Sequence, residues 1–258
     1  MVRTPSQDAP WTGVGTNGTD LVVVGNNGLV VTSTDNGATW TNGADSNPGV
    51  SGRRRLAWHG SVYLSVPTGN GTGSSSPTGA TWTTTGSLGT AGNWSGVVSQ
   101  ASRFVVANTS APRIVTSDNS GGAWASRTTP AQGWGTIAAN TTLIVLLPDA
   151  GSIAASSADS GTTWTQRVSN AAAWASGVWN GTVFCAVALD GYSSSVQTSS
   201  DGITWTTRTP AIVGVDWQAI TTFGTVLCAL GGLSIAPYSS VIQTSSDNGV
   251  TWTQRDSP

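Results

Sequence analysis

A short segment closed by tryptophan recurs six times along this chain, and that repetition constrains the fold more than any other feature. STDNGATW ends at Trp40, SSPTGATW at Trp82, SDNSGGAW at Trp124, SADSGTTW at Trp164, SSDGITW at Trp205 and SSDNGVTW at Trp252. The closing tryptophans stand 42, 42, 40, 41 and 47 residues apart. A period of that length is the pitch of a four-stranded propeller blade. It predicts an all-β, six-bladed β-propeller with four antiparallel strands per blade, occupying residues 11–258 as one domain behind a lead-in at residues 1–10.

Each unit has the same internal order. A first tryptophan (Trp11, Trp94, Trp134, Trp174, Trp217) opens a strand, and Arg53 takes that place in the second unit. A hairpin follows, as in Thr16-Asn17-Gly18-Thr19 and Trp179-Asn180-Gly181-Thr182, where Asn-Gly favours a type I′ turn with positive φ at both central residues. Unbroken apolar runs come next: LVVV at 21–24, LIVLL at 143–147, VFCAVAL at 183–189. Apolarity without alternation means burial on both faces, as a strand between two neighbouring blades requires. A third strand leads into the repeated segment, whose tryptophan opens a fourth. Blade two is the weakest unit, because its third strand, GTGSSS, has no apolar residue to bury.

Within the repeated segment, Asp35, Asp159, Asp201 and Asp247 can accept backbone N–H groups across a tight turn, and the glycine beyond supplies a positive φ. Asn119 takes the acidic position in the third unit, Pro77 in the second, and the fifth is one residue short before Gly202. This pattern resembles the Asp-box, or bacterial neuraminidase repeat, propellers over nearly all of residues 11–255. The resemblance implies that Trp40, Trp82, Trp124, Trp164, Trp205 and Trp252 pack over their turns as scaffold. It is specific for fold and poor for function, since sialidases, photosystem assembly factors and non-catalytic proteins share it.

Sialidase chemistry is the activity that the resemblance brings with it, and the residue inventory argues against it. Such enzymes pair a tyrosine nucleophile with a glutamate, and all twelve acidic residues here are aspartate. Tyr63, Tyr192 and Tyr238 therefore have no glutamate to activate them, and Arg3-Thr4-Pro5 lacks the isoleucine of the family's Arg-Ile-Pro motif. Asp149, Asp190 and Asp216 lie near loops, where a glycosidase would need two carboxylates flanking one bond. The single histidine, His59, sits in a turn, and no metal cluster or nucleophile–base set assembles around it. GxGxxG at 13–18 precedes a hairpin instead of a helix. The six Asn-x-Ser/Thr sequons, at Asn17, Asn70, Asn93, Asn108, Asn140 and Asn180, read as turn residues. Cys185 and Cys228 occupy matching positions and read as core filler. Catalytic, metal and cofactor roles are thus expected to be absent.

Ten arginines against twelve aspartates, with no lysine, leave a charge of −2, so neither nucleic acid nor an anionic membrane is expected as partner. No apolar run reaches the ~18 residues of a membrane span. The opening MVRTPSQDAP lacks signal-peptide character, which leads to the expectation of a virion component assembled in the host cytoplasm, with a cytoplasmic chain or one exported without a signal peptide as alternatives. Arg3-Thr4-Pro5 echoes Arg208-Thr209-Pro210, so six whole blades fit, with closure resting on the first and sixth. Arg53-Arg54-Arg55, with Arg113, reads either as an anion site or as a charge cluster over a weakly packed blade. Arg127, Arg167, Arg208 and Arg255 recur three residues after their tryptophans, a pattern that protects outer edges. The longest loop, Gly231 to Tyr238, is apolar, and Ile212, Val213, Leu233, Ile235 and Tyr238 are expected to form one exposed patch opposite the repeated turns. The expected function is a non-catalytic structural or adhesion module of a virus particle, such as a phage tail or capsid. A lectin for cell-surface glycan and an atypical glycoside hydrolase are the alternatives.

Overall fold

The computed structural model describes residues 11–44, 54–69, 71–89, 92–101, 103–109, 113–118, 121–189, 196–233 and 240–255. Six four-stranded antiparallel sheets succeed one another as the blades of a β-propeller, with almost no helix beyond a 3-10 turn at Asn26–Gly28. Two compact units divide the chain, Met1–Arg127 and Thr128–Pro258. The first unit holds blade one (Trp11–Thr16, Leu21–Gly25, Val30–Ser33, Thr41–Asn42), blade two (Arg54–His59, Val62–Pro67, Thr72–Ser76, Thr83–Ser87) and blade three (Trp94–Gln100, Arg103–Asn108, Arg113–Asp118, Ala125–Thr128) up to its last residue, Thr128, which opens the second unit. The second holds blade four (Trp134–Ala139, Ile144–Pro148, Ile153–Ser157, Thr165–Val168), blade five (Trp174–Trp179, Phe184–Ala188, Val196–Ser199, Thr206–Arg208) and blade six (Val215–Phe223, Val226–Leu233, Ser240–Ser245, Thr253–Arg255).

Apolar second strands lie at the centre of this architecture. Arg103–Asn108, Ile144–Pro148 and Phe184–Ala188 are buried on both faces over nearly their whole length. Blade six differs. Leu227 and Ala229 join the core shared with Cys185, Val187 and Val196 of blade five, whereas Cys228 and Leu230 alternate onto the other face and are partly exposed. The first-strand tryptophans Trp94, Trp134, Trp174 and Trp217 are the largest fully buried side chains. In blades one, three, four, five and six the residue just after the first-strand tryptophan bulges out of the ladder, between Trp134 and Thr136 for example. Blade two has no such bulge. Its Arg54 faces Pro67 as Trp134 faces Pro148, so by register Arg54 stands in the tryptophan position assigned above to Arg53, which lies outside the described residues.

Consecutive blades inside each unit meet through a repeated contact. A Cβ on Gly202 of blade five would lie 2.6 Å from Leu143 Cδ2 and Val145 Cγ1 of blade four. Gly249 meets Thr198 and Cys185 of blade five in the same way, Gly121 meets Leu64 and Thr85 of blade two, and Gly79 meets Val22 of blade one. Val22, Leu64, Val145 and Cys185 are equivalent positions, each one residue past the start of the ladder in its second strand. The turn glycine thus does two jobs: it adopts positive φ and it lets the next blade close onto apolar side chains. Blade two packs despite its polar third strand, because Gly73, Ser74 and Ser76 are small enough to be buried without a cavity.

The first hairpins depart from the expected type I′ turn. Asn17 and Asn180 do not take positive φ; Gly18 (101°) and Gly181 (96°) do. The asparagine instead caps the loop, its Oδ1 accepting the N–H groups of Thr19 and Asp20 in blade one and of Thr182 and Val183 in blade five. An asparagine side chain offering an acceptor two and three residues ahead satisfies donors that a type I′ turn would pair within the backbone.

Candidate functional site

The repeated turn is the most regular chemical arrangement in the molecule. In blade one, the Ser33 hydroxyl donates to Asp35 Oδ1 (2.8 Å) and accepts the Gly37 N–H (2.8 Å). Asp35 in turn takes the Thr39 N–H and hydroxyl. Blades four and six repeat this with Ser157, Asp159 and Thr163 and with Ser245, Asp247 and Thr251. Backbone and hydroxyl donors from Thr39, with Ser33, hold the Asp35 carboxyl at about 2. For Asp159, slight burial works in the opposite direction and is outweighed by Thr163 and Ser157, again giving about 2. Thr251 and Ser245 do the same for Asp247. Tryptophan closes the turn: Trp82, Trp164 and Trp252 donate Nε1–H to the carbonyls of Gly79, Gly161 and Gly249 at 2.9–3.1 Å.

Blade two corrects the sequence alignment. There the Gly79 N–H binds the Ser76 hydroxyl, three residues back, as Gly202 binds Ser199 in blade five. The acceptor in the aspartate position is consequently Thr78, whose Oγ1 takes the Ala80 N–H as Asp201 Oδ1 takes that of Ile203. Pro77 precedes it. Both are the short form of the turn, and a shared register on Tyr63 and Phe184 confirms the match. Asn119 lies outside the described residues.

Among the described candidates for catalysis, Tyr63, His59 and the two cysteines occupy the following settings. Tyr63 is wholly buried and donates to the Asp20 carbonyl (3.3 Å), and burial raises its pKa, the reverse of nucleophile activation. His59 packs edge-on against Phe104. Cys185 and Cys228 carry free thiols; burial pushes that of Cys185 up. Among the described residues no group of three His, Cys, Asp or Glu side chains could hold a metal ion, and no helix is long and apolar enough to cross a membrane. Tyr192, Tyr238 and Asp190 lie outside the described residues.

The described arginine side chains are engaged within the fold, Arg103 with the Asp118 carboxylate at 2.8 Å among them. Arg55 Nε donates to the Ser95 carbonyl of blade three at 2.8 Å and ties two blades together. Arg127, Arg167, Arg208 and Arg255 each reach from a fourth strand to a hydroxyl of the third, on Thr116, Ser156, Thr198 and Thr244, at 2.8–3.0 Å. Arg54 and Arg113 lie on first and third strands of blades two and three.

A four-stranded meander puts its first hairpin and its repeated turn at one end, and its 2–3 loop and the connection to the next blade at the other. In the second unit that other end carries exposed apolar side chains: Val168 (69%), Leu189 (46%) and Val213 (73%). The backbone beneath them is fixed. Ala211 N–H binds the fully buried Gln243 Oε1, Leu189 N–H binds the Ala173 carbonyl, and Val168 pairs with Ile153. The expected patch is only partly of this kind. Val213 is exposed, but Ile212 and Leu233 lean against the core that contains the buried Val215, because an apolar side chain beside Trp217 gains more by burial. Ile235 and Tyr238 lie outside the described residues. Gly231, Gly232 and Leu233, expected in a loop, extend the second strand and pair with Val215–Trp217. With Gln218, Leu230, Ser240, Val241 and Ile242 they line an open groove of about 450 Å³ on blade six. A Cβ on Gly231 would strike the Asp216 carbonyl, so glycine is required for the strands to close there. Sequence reasoning missed the groove, since it depends on the Gln218 bulge and on which face each strand turns outward. It also missed Phe223, at a hairpin tip and 88% exposed.

No protein-family model matches the sequence, and no curated protein matches it. Solved structures do resemble the fold over most of its length. YCF48 bound to D1 peptide superposes with a TM-score of 0.69 at 14% identity, covering 97% of this chain and 82% of that one. A catalytically inactive histidine-to-alanine variant of virginiamycin B lyase from Staphylococcus aureus, with quinupristin, gives 0.75 at 10% identity, over 96% and 95%. The nidogen/laminin complex gives 0.59 at 11% identity, over 74% and 75%. Identities this low establish the propeller and leave its activity open.

Proposed function

We propose that this chain is a non-catalytic interaction module of the Asp-box type, and that its partner is an extended segment of another protein seated in the blade-six groove. The groove carries the reading: a lining of apolar side chains, two glycines and a few polar groups suits a peptide backbone with alternating side chains. Exposed Val168, Leu189 and Val213 at the same end of their blades add an apolar margin. Two of the similar folds were solved with a peptide or a protein bound, which supports protein partners; a third is a lyase. Binding is favoured over catalysis because the sequence holds no glutamate. In addition, Asp35, Asp159 and Asp247 are held ionised to about 2, the wrong direction for a general acid. Ser-x-Asp-x-Gly-x-Thr-Trp turns formed in blades one, four and six support the family assignment.

Within that reading we place the protein in a virus particle, as a structural or adhesion component assembled in the host cytoplasm. The support is compositional: arginine without lysine, aspartate without glutamate, and strands rich in small residues. Purified particles are expected to contain the chain, and Leu230→Asp in the groove is expected to abolish its incorporation while leaving the melting temperature within about 2 °C. Recovery solely as free protein, never with particles, would sink the virion assignment. A glycan-binding module is the second reading, and saturable binding on a glycan array that Leu230→Asp leaves intact would favour it.

A further inference from the structure

One position in the first hairpin sets blade six apart. Six residues after the first-strand tryptophan stand Asn17, Gln100, Asn140, Asn180 and, in blade six, Phe223. The asparagines cap their loops through Oδ1, and Gln100 is buried. Phe223 does neither, and at 88% exposure it is the most exposed large apolar side chain described. Leaving a phenyl ring in water forgoes the burial an apolar side chain gains, where blades one, three, four and five use a polar group.

Its surroundings are rigid and share its character. Asn180, itself 4% exposed, donates from Nδ2 to the Thr225 carbonyl (3.0 Å) and to Asn248 Oδ1 (2.9 Å). That one side chain ties the hairpin tip carrying Phe223 to the repeated turn carrying Val250. Val250 (50% exposed) and Ile203 (43%) occupy the turn position that holds Ala38, Ala80, Gly122 and Thr162 in the other blades. At this turn position, large apolar side chains thus occur in blades five and six. Beside them lie the exposed carboxylates of Asp201 and Asp247, ionised because Thr204 and Ile203, and Thr251, donate to them. The described basic residues of the second unit, Arg167, Arg208 and Arg255, sit on fourth strands and bind hydroxyls of the third.

We infer that Phe223 and Val250 form a second docking surface, for a protein segment whose apolar side chain is flanked by arginine or lysine. Burying Phe223 and Val250 would supply the attraction, and the ionised rim would select the charge of the flanks. An acidic segment would be repelled.

The test uses the full chain with labelled methyl groups and phenylalanine, titrated with acetyl-Arg-Phe-Arg-amide and acetyl-Glu-Phe-Glu-amide. Shifts at Phe223 and Val250, with the arginine peptide at least tenfold tighter, are expected. Phe223→Ser should remove them with an unchanged melting temperature, and Leu230→Asp in the groove should leave them intact. That last variant separates this surface from the groove reading above. Equal binding of the two peptides, shifts confined to other residues, or a Phe223 ring shielded from a soluble nitroxide in the free chain would each overturn the inference.

Discussion

Asp35 closes on Thr39 twice, Oδ1 accepting the backbone N–H at 2.8 Å and Oδ2 the hydroxyl at 2.7 Å. The same double clasp joins Asp159 to Thr163 and Asp247 to Thr251, so three turns depend on an ionised carboxylate in one way.

Acid should therefore loosen the fold over a defined window. The folded pKa of Asp35, Asp159 and Asp247 is about 2 against an ordinary value of 3.8. Groups depressed in the folded state stabilise fully above the unfolded value, and that contribution disappears as pH falls through the folded one. Thermal melts are expected to be flat from neutrality to about pH 4 and to drop between there and pH 2. Replacing all three by asparagine should lower the neutral melting temperature and flatten the acid limb; an unchanged limb would show that other groups control it.

Gly202→Ala should cost about 3 kcal/mol, adding left-handed strain to overpacking. Its φ is 67°, and the new methyl would lie 2.6 Å from Val145 Cγ1. Gly18→Ala, at φ 101° with nothing within 4 Å, should cost only about 1 kcal/mol, the strain alone. Equal losses in urea denaturation would mean that the blade contact contributes nothing.

Ser160 is a non-glycine residue at positive φ (54°), in the place that Asn36 and Asn248 fill in their own turns. Asparagine tolerates that region better than serine. Ser160→Asn is expected to stabilise by about 0.5 kcal/mol in the same assay, and any destabilisation would contradict the shared geometry of these turns.

Arg55→Met should lower stability by about 1–2 kcal/mol, since its charged donor to the Ser95 carbonyl is half-buried between blades two and three. If the Arg53–Arg55 cluster instead served an anion, stability would be unaffected and added sulfate would raise the melting temperature of wild type only.

Much of the fold was legible because the repeat combines local signals that agree. Ser, Asp, Gly and Thr at fixed offsets encode a turn whose hydrogen bonds run within five residues, so the segment around Asp35 or Asp247 could be read without its neighbours. Box two was misread at Pro77 for the same reason. Counting back from Trp82 assumes equal turn lengths, while the Ser76 and Thr78 hydrogen bonds follow the short form. The loop expected at Gly231–Leu233 became strand because pairing with Val215–Trp217 is a contact between segments, invisible to a window.

By itself, then, the sequence determined the all-β class, the six blades, the repeated turns of blades one, four and six and the apolar second strands, since these follow from periodicity and from residues close along the chain. It also determined that a tyrosine–glutamate pair is absent, because no glutamate exists to supply one. Only the tertiary structure decided which apolar residues are available to a partner. Ile212 and Leu233 have the same hydropathy as Val213 and Leu230, but the first two lean on the core around Trp217 while the others face water. Burial is set by what lies across the sheet, and the chain records that only through contacts between residues far apart in sequence.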